Sequence, residues 1–587
     1  MGVLCLAWPA ATVWAGLAAP APLPVLKGSD VVFMYGTGAD VYREYGATVL
    51  GWGGTPTAEG LGAAREAGVL YFGSVGMVTE FAQFIDEFPQ YETVICVDVQ
   101  GNRLRVPWLW DHSHNGVPAY WFCTSQPLFR EYLRRRVVEV VQGGADGVHV
   151  DDHLGTAGNS WLGGCYCDRC VAGFRDYVAA HATAQQLADA GISRVADLDY
   201  RQVVLDWLAA HPDRKDDLGA RPLAALFATY QSQAAAAFMA ELRALAAETA
   251  GRPVPMSANV GVPNLAQMSD YQALDMFCCE VDQRAGERRG NDGVVVAYRL
   301  AEALQRPVAA TASGWDWAFI KEQNLPGLVR LWIVQAYALG QHFMVPHHQW
   351  CYTQEKGTHW YDGPPGEYAW LFRFVRDHAA LFDGYEPVAE VGVVLAARAQ
   401  RQGQTEAADA AVALAGANVP FRMLVAGDEQ LPADLSEAQL AACPMVVAPH
   451  ADLMDEKDRA VLDRRAAAGG VLPWGSAEAL LAAVPPAVRV EGAPNLWVLP
   501  RVRPADPGAP IVVQLVNRNY DAATDSIVPV TECTIALRAS LWGGRGVRAA
   551  VLHQPRTEPQ NVTLETVGEW VSVPLRDLSL WGVLELQ

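Results

Sequence analysis

From about residue 28 to residue 384, short apolar runs alternate with stretches of helical period. The runs are VVFMY (31–35), ATVLGW (47–52), VLYFGSV (69–75), GVHV (147–150), VPMSA (254–258), LDMFCCE (274–280), PVAATA (307–312) and HFMVP (342–346). Each has the length of a strand and most are edged by turn residues. Residues 125–142 predict a helix with Ser125 as its cap and Pro127 in its first turn. Further amphipathic patterns cover 224–247, 327–339 and 368–381. Eight such alternations predict an α/β chain folded as a (β/α)8 TIM barrel. Residues 76–124 form a long insertion with its own strand-like TVICVDV. Inserts after barrel strands usually wall the site.

After Pro387 the pattern restarts on a smaller scale. EVGVVLA, VPFRMLV, PMVVAPH and GGVLPWG alternate with helical stretches, among them 455–468. They predict a flavodoxin-like βαβ domain over 385–487. In the last hundred residues IVVQLVNR, CTIALRA, VRAAVLH and WVSVPL are short alternating strands with Gly and Pro turns. They predict a C-terminal β-sandwich over 488–587. The barrel is assigned to 28–384 and a leader to 1–27.

Charge narrows the partners. Forty-four Lys and Arg against 65 Asp and Glu leave a net charge of −21. That excludes nucleic acid or an anionic membrane surface as the main partner and suits a neutral substrate. The leader MGVLCLAWPAATVWAGLAAPAPLP resembles the apolar core of a signal peptide, with Gly16-Leu17-Ala18 as a small-x-small cleavage site. It departs from that pattern in having no Lys or Arg before Lys27. Export to the periplasm or medium is favoured over a cytoplasmic location. No later segment has the length and apolarity to span a bilayer. The eleven cysteines are unevenly spaced and do not read as a disulfide framework. Cys96, Cys278, Cys279, Cys351, Cys443 and Cys533 lie in or beside apolar runs and are expected as buried free thiols.

The chemistry gathers at DGVHVDDH (146–153). Side chains alternate along a strand, so Val148 and Val150 face the helices while His149 and Asp151 face the barrel interior. Asp151 then stands at the C-terminal mouth, with Asp152 just beyond. Glycoside hydrolysis needs a second carboxyl across the scissile bond. Glu280, closing LDMFCCE, is the best candidate; Asp282, on the same face by parity, and Asp316 in SGWDWA are alternatives. Each could instead form a salt bridge to Arg284 or Lys321. Aromatic and imidazole groups gather at the same mouth: Tyr35, Trp52, His112, His114, Trp315, Trp317, His347, His348 and Trp350. With His149 and Asp316 they suit a site that stacks on a pyranose ring and bonds its hydroxyls.

Cys165-x-Cys167-x2-Cys170 is compact, and Cys123 in YWFCTSQP is a plausible fourth ligand. Four thiolates would hold a structural zinc with no open position. Unmetallated thiols, or a disulfide in an exported protein, are the alternatives.

The sequence YWFCTSQPLFREYL, then a strand-four carboxylate, then GCYCDRCVAGFRDYV, resembles the family-42 β-galactosidases and related glycoside hydrolases. The resemblance implies a catalytic barrel, a trimerisation-like second domain, homo-oligomers (dimer or trimer) and zinc on the four cysteines. It does not carry over the catalytic pair. That family has Asn-Glu after strand four and a Glu near strand seven; this chain has Asp151-Asp152 and PVAATASGWDWA. DGVHVDD is similar instead to the DGxRxD motif of the α-amylase superfamily, which makes Asp151 the nucleophile. In α-galactosidase-like barrels the acid/base follows a later strand, which suits Glu280. The expectation is a retaining glycoside hydrolase with no organic cofactor, in which Asp152 and His149 orient the nucleophile or bind hydroxyls. Three other readings remain at this point. One is a carbohydrate-binding barrel without catalysis. Another is a metal-dependent hydrolase on His112, His114, His149 and Asp151. The third is a nicotinamide enzyme, on the lone GxG of YGTGAD.

Overall fold

The computed structural model describes Leu23 and residues 25–587. The cleavage-site reading at Gly16-Leu17-Ala18 therefore lies outside the described residues. All eight predicted runs are strands: β1 (Val32–Tyr35), β2 (Val49–Trp52), β3 (Leu70–Gly76), β4 (Gly147–Asp151), β5 (Met256–Ala258), β6 (Met276–Glu280), β7 (Val308–Thr311) and β8 (His342–Phe343). They pair in parallel in that order. A parallel bridge between Phe33 and Val345 closes the ring. Around them lie α1 (Ala39–Tyr45), α2 (Ala58–Ala67), α3 (Pro127–Gln142), α4 (Ala224–Ala250), α5 (Val294–Ala303), α6 (Gly314–Gln323), α7 (Pro326–Ala338) and α8 (Pro365–Asp377).

Alternation sorts the side chains. Val32, Met34, Val49, Phe72, Met276, Cys278, Ala309 and Met344 fill the barrel interior. Val148, Val150, Phe277, Cys279, Ala310 and Phe343 join the layer shared with the helices. Gly51 allows the interior to close, since a Cβ there would meet the Cys278 sulfur at 2.5 Å. At the closed end, Asp275 is fully buried and accepts both guanidinium nitrogens of Arg243 at 2.8 Å, with further bonds from the Met256 and Leu23 amides. Val25 and Leu26 pack beneath the interior cluster.

Three local expectations change. Ser125 does not cap α3; Gln126 holds that position without a side-chain bond, and the Ser125 hydroxyl lies 3.7 Å from the Cys170 sulfur. TVICVDV forms no ladder: it makes only isolated bridges, such as Ile95–Phe122 and Val97–Arg103, because its partners are short loop segments. Asp282 lies past the end of β6, largely exposed beside Arg284, so strand parity no longer sets its direction. Two excursions also extend the picture. Residues 152–223 carry the helices Asp168–His181, Ala184–Asp189 and Tyr200–Ala210, and β8 is followed by a hairpin, β9 (Gln349–Thr353) and β10 (Gly357–Tyr361).

Beyond the barrel, a four-stranded parallel sheet runs in the order Phe421–Ala426, Val391–Ala396, Met445–Val447, Val471–Leu472. Two antiparallel sheets of six and four strands follow. Their inner faces share one core, with Val513, Leu515 and Leu584 from one and Ile535, Leu537 and Val573 from the other. Glu386–Pro387 pairs with Leu496–Val502 in the larger of these. Among the described residues no helix is long and apolar enough to cross a membrane.

Candidate active site

Asp151 and Glu280 end β4 and β6 and share the inward parity of His149 and Cys278. Asp151 accepts from its neighbour's amide at 3.1 Å, from Asn259 Nδ2 at 3.3 Å and from the Thr79 hydroxyl at 3.4 Å. Burial raises its pKa, and these three bonds oppose the rise by favouring the ionised form. Among the described residues no hydrogen bond or ion pair reaches the Glu280 carboxylate. Arg284 pairs with Asp282 and Glu287, and Lys321 donates to the Trp360 carbonyl. Burial pushes Glu280 up to about 8, and the charges of Asp151 and then Asp316 add to it. Asp152 adopts a left-handed backbone (φ 51°) and keeps one buried carboxylate oxygen without a partner. Burial, then Asp151 and Glu280, holds its proton on well above the usual range. Tyr35 is raised by burial and by the same two carboxylates, so its hydroxyl shares their space. One carboxyl that keeps its proton beside one whose ionised form takes three hydrogen bonds can serve as an acid and a nucleophile or base.

The other sequence candidates divide. Tyr35 stacks on Trp52 at 6.1 Å and meets His348 and Trp360 edge-on at 6.0 and 5.5 Å. His348 lies flat on Trp360 at 4.3 Å and bonds Asp362. His347 bonds the Thr37 hydroxyl. Trp350 stacks on Tyr352, and Trp315 stands 55% exposed against the same ring. His149 faces inward but is fully buried two residues below Asp151, bonded to Ser257, with its edge on Trp52. Burial keeps it neutral, and it packs in the layer under the site. Asp316 and Trp317 are taken up by capping and packing, although the Asp316 charge still reaches Glu280. Asp316 completes a capping box with Ser313 and accepts the Gln283 and Ala285 amides. Trp317 is 1% exposed, donates to Thr311 and stacks on Tyr361. His112 and His114 pair with Asp111 and Asp86 in the wall after β3. These imidazoles do not converge, which removes the basis of the metal-hydrolase reading. Among the described residues the four cysteines are the group that could hold a metal.

That group is compact. The sulfurs of Cys123, Cys165, Cys167 and Cys170 all lie within 4.8 Å of one another, with Cys123 3.6 Å from Cys170 and 3.7 Å from Cys167. A tetrahedral ion with bonds of about 2.3 Å separates its sulfurs by about 3.8 Å, so the donor set fits a closed site. All ten described cysteines are free thiols. The site joins the loop before α3 to the helix Asp168–His181. Cys96, fully buried, reaches Cys123 and Cys165 as a fifth thiol.

Several residues here escape sequence reasoning. Asn259 follows β5 with the same parity as Ser257, so the strand-end rule that finds Asp151 also finds it. Thr79, Trp360 and Tyr352 sit on excursions whose paths no local pattern fixes. His153 bonds Asp270 at 2.7 Å in a pair almost wholly buried behind Asp152.

Residues 113–360 match the Glyco_hydro_42 family model, described as beta-galactosidase. The chain is 23% identical over 611 residues to an alpha-agarase of Alteromonas agarilytica, covering 96% of this chain. It spans 41% of the length of that relative. It resembles a beta-galactosidase from Bacillus circulans sp. alkalophilus with TM-score 0.62 and 13% identity, covering 96% of this chain and all of the other. It also resembles alpha-L-fucosidase isoenzyme 2 from Paenibacillus thiaminolyticus with TM-score 0.58, 12% identity and the same coverage. The chain is thus related to family-42 glycoside hydrolases, and the solved structures share its fold.

Proposed function

We propose that this protein is a glycoside hydrolase that cleaves a glycosidic bond in an oligo- or polysaccharide, with agar-type polymers the first class to examine. The observation that carries the reading is the placement of Asp151 and Glu280 at the inward-facing ends of two barrel strands, where burial and then the Asp151 charge raise the pKa of Glu280. We read the pair as that of a retaining enzyme, which requires a separation of about 5–5.5 Å. Asp151 attacks the anomeric carbon, held as an anion by Asn259, Thr79 and its neighbour's amide. Glu280, protonated near neutral pH, gives its proton to the leaving oxygen. It then takes one from the water that releases the glycosyl-enzyme. Asp152 and Tyr35 border the pair and orient the sugar.

The relatives' names, alpha-agarase and beta-galactosidase, support a galactose-type substrate. We read the four cysteines as a structural zinc site that pins the loops around β4. The middle sheet, with its first two strands exchanged in order, supports a flavodoxin-like domain equivalent to the trimerisation domain of family-42 enzymes. Export remains the favoured location.

The test is turnover of agarose and of small galactosides by the native protein and by Asp151→Asn and Glu280→Gln. Each substitution is expected to lower kcat/KM by at least about 10³-fold. The first product released should keep the anomeric configuration of the substrate. Variants that cut as fast as the native protein would remove the pair from the mechanism.

A further inference from the structure

We propose that hairpin β9–β10, with Trp110 and Trp315 beside it, forms a binding ridge for successive pyranose units of an uncharged polysaccharide. The ridge leads outward from Asp151 and Glu280. The inference rests on reading that pair as a glycosidase centre.

Large apolar side chains are rarely left in water in numbers, and those that cluster mark binding surfaces. Trp110, Trp315 and Trp360 are 43%, 55% and 37% exposed, and all three gather at one hairpin. The rings are continuous with the carboxyl pair. Trp360 meets Tyr35, whose hydroxyl lies in the field of Asp151 and Glu280. Trp350 is the cross-strand partner of Trp360 and stacks on Tyr352 at 5.6 Å and 22°. Trp315 stands edge-on to Tyr352 at 5.0 Å, and Trp110 lies against the Tyr352 hydroxyl. Tyr352 itself is buried and bonds the Pro107 carbonyl, so it supports the exposed rings without presenting one.

The support is rigid. The Asp111 carboxylate accepts the Thr358 amide at 3.0 Å, tying the hairpin to the wall after β3. Successive same-face residues on a strand lie about 7 Å apart, so the ridge from Trp360 past Trp350 to the Trp315 ring carried on Tyr352 runs at least about 10 Å, longer than one sugar ring. Apolar ring faces beside polar groups match the two-sided character of a pyranose.

Charge selects the occupant. The protein carries −21, and the ridge runs from the Asp151 carboxylate past those of Asp362 and Asp111. Lys321 and Arg105 turn to the backbone carbonyls of Trp360 and Trp110 at 2.6 and 3.2 Å and keep their charge, so the selection rests on the carboxylates and the net charge. A sulfated or uronic chain finds repulsion here, and a neutral one does not.

The experiment uses Asp151→Asn protein, which holds a chain without cutting it, in native electrophoresis through gels containing dissolved agarose or κ-carrageenan. Agarose should retard it. Adding Trp110→Ala and Trp315→Ala should weaken that retardation about tenfold in apparent Kd, and the sulfated polymer should retard it little. Retardation unchanged by the two substitutions, absent in both polymers, or as strong in carrageenan overturns the proposal. The hydrolase reading fails separately. Tryptophan-dependent retardation in a protein whose native form cuts no glycosidic bond keeps the ridge and removes the enzyme. Cleavage indifferent to both tryptophans does the reverse.

Discussion

Glu280 keeps its proton because ionising it would place a second charge beside Asp151 in a buried mouth. Its folded pKa of about 8 stands above the ordinary 4.5. The stability it contributes is therefore full below about 4.5 and lost as pH rises through about 8. Glu280→Gln should be more stable than the native protein at pH 9, by about 1–2 kcal/mol, and should not be at pH 4. Urea unfolding at both pH values checks this; the same difference at each would place the cause outside titration. In catalysis the alkaline limb of kcat/KM should fall near pH 8 and disappear in the Gln variant's residual rate. At the closed end, Asp275→Asn should cost about 3 kcal/mol by leaving the Arg243 charge without its carboxylate, read as a lower urea midpoint. Strand parity was enough to read Asp151, Glu280 and the inward turn of His149 from sequence. Position after a strand was a poor guide at Asp316 because that residue lies in the first turn of α6. Ser313-x-x-Asp316 is a capping box legible in the chain, and it explains the carboxylate better than the mouth does.

Among the elements, the hairpin β9–β10 was the feature that strand counting missed. QWCYT and GTHWY alternate in the manner of paired strands, but they follow a barrel strand so closely that they read as its loop. Its anchor gives a direct prediction. Burial alone would raise the pKa of Asp111, but the Thr358 amide and His112 outweigh it and hold it below the usual range. The anchor is thus an anion at any working pH. Asp111→Ala should loosen the hairpin, and tryptic cleavage after Lys356 at its tip should quicken several-fold while the barrel persists. Unchanged cleavage would show that the hairpin stands without the anchor. The excursion 76–124 was legible as long and as a wall, whereas 152–223 was not. Their internal paths were legible in neither, because they are set by contacts such as Asp98–Gly164 between segments remote in sequence.

At the scale of the molecule, the eight-strand repeat, the parallel sheet and the terminal antiparallel sheets were visible as changes in hydrophobic period. The crossing of Glu386–Pro387 into the last sheet was not, since two residues carry no period. The four cysteines draw 47 residues of chain into one knot, from Cys123 to Cys170. With metal bound there, elemental analysis should find about one zinc per chain. Stripping it with a chelator should lower Tm by about 5–10 °C, with Cys170→Ser mimicking the loss. An unchanged Tm in a zinc-free preparation would argue for plain thiols. The amide of Leu23 is bound to Asp275 beneath the barrel, on the face opposite the carboxyl pair. Leu23 thus marks the back of the barrel. A protein tethered to a bead or surface by that end would hold its mouth outward, with the aromatic ridge free to engage a gel or a cell wall too large to diffuse to it.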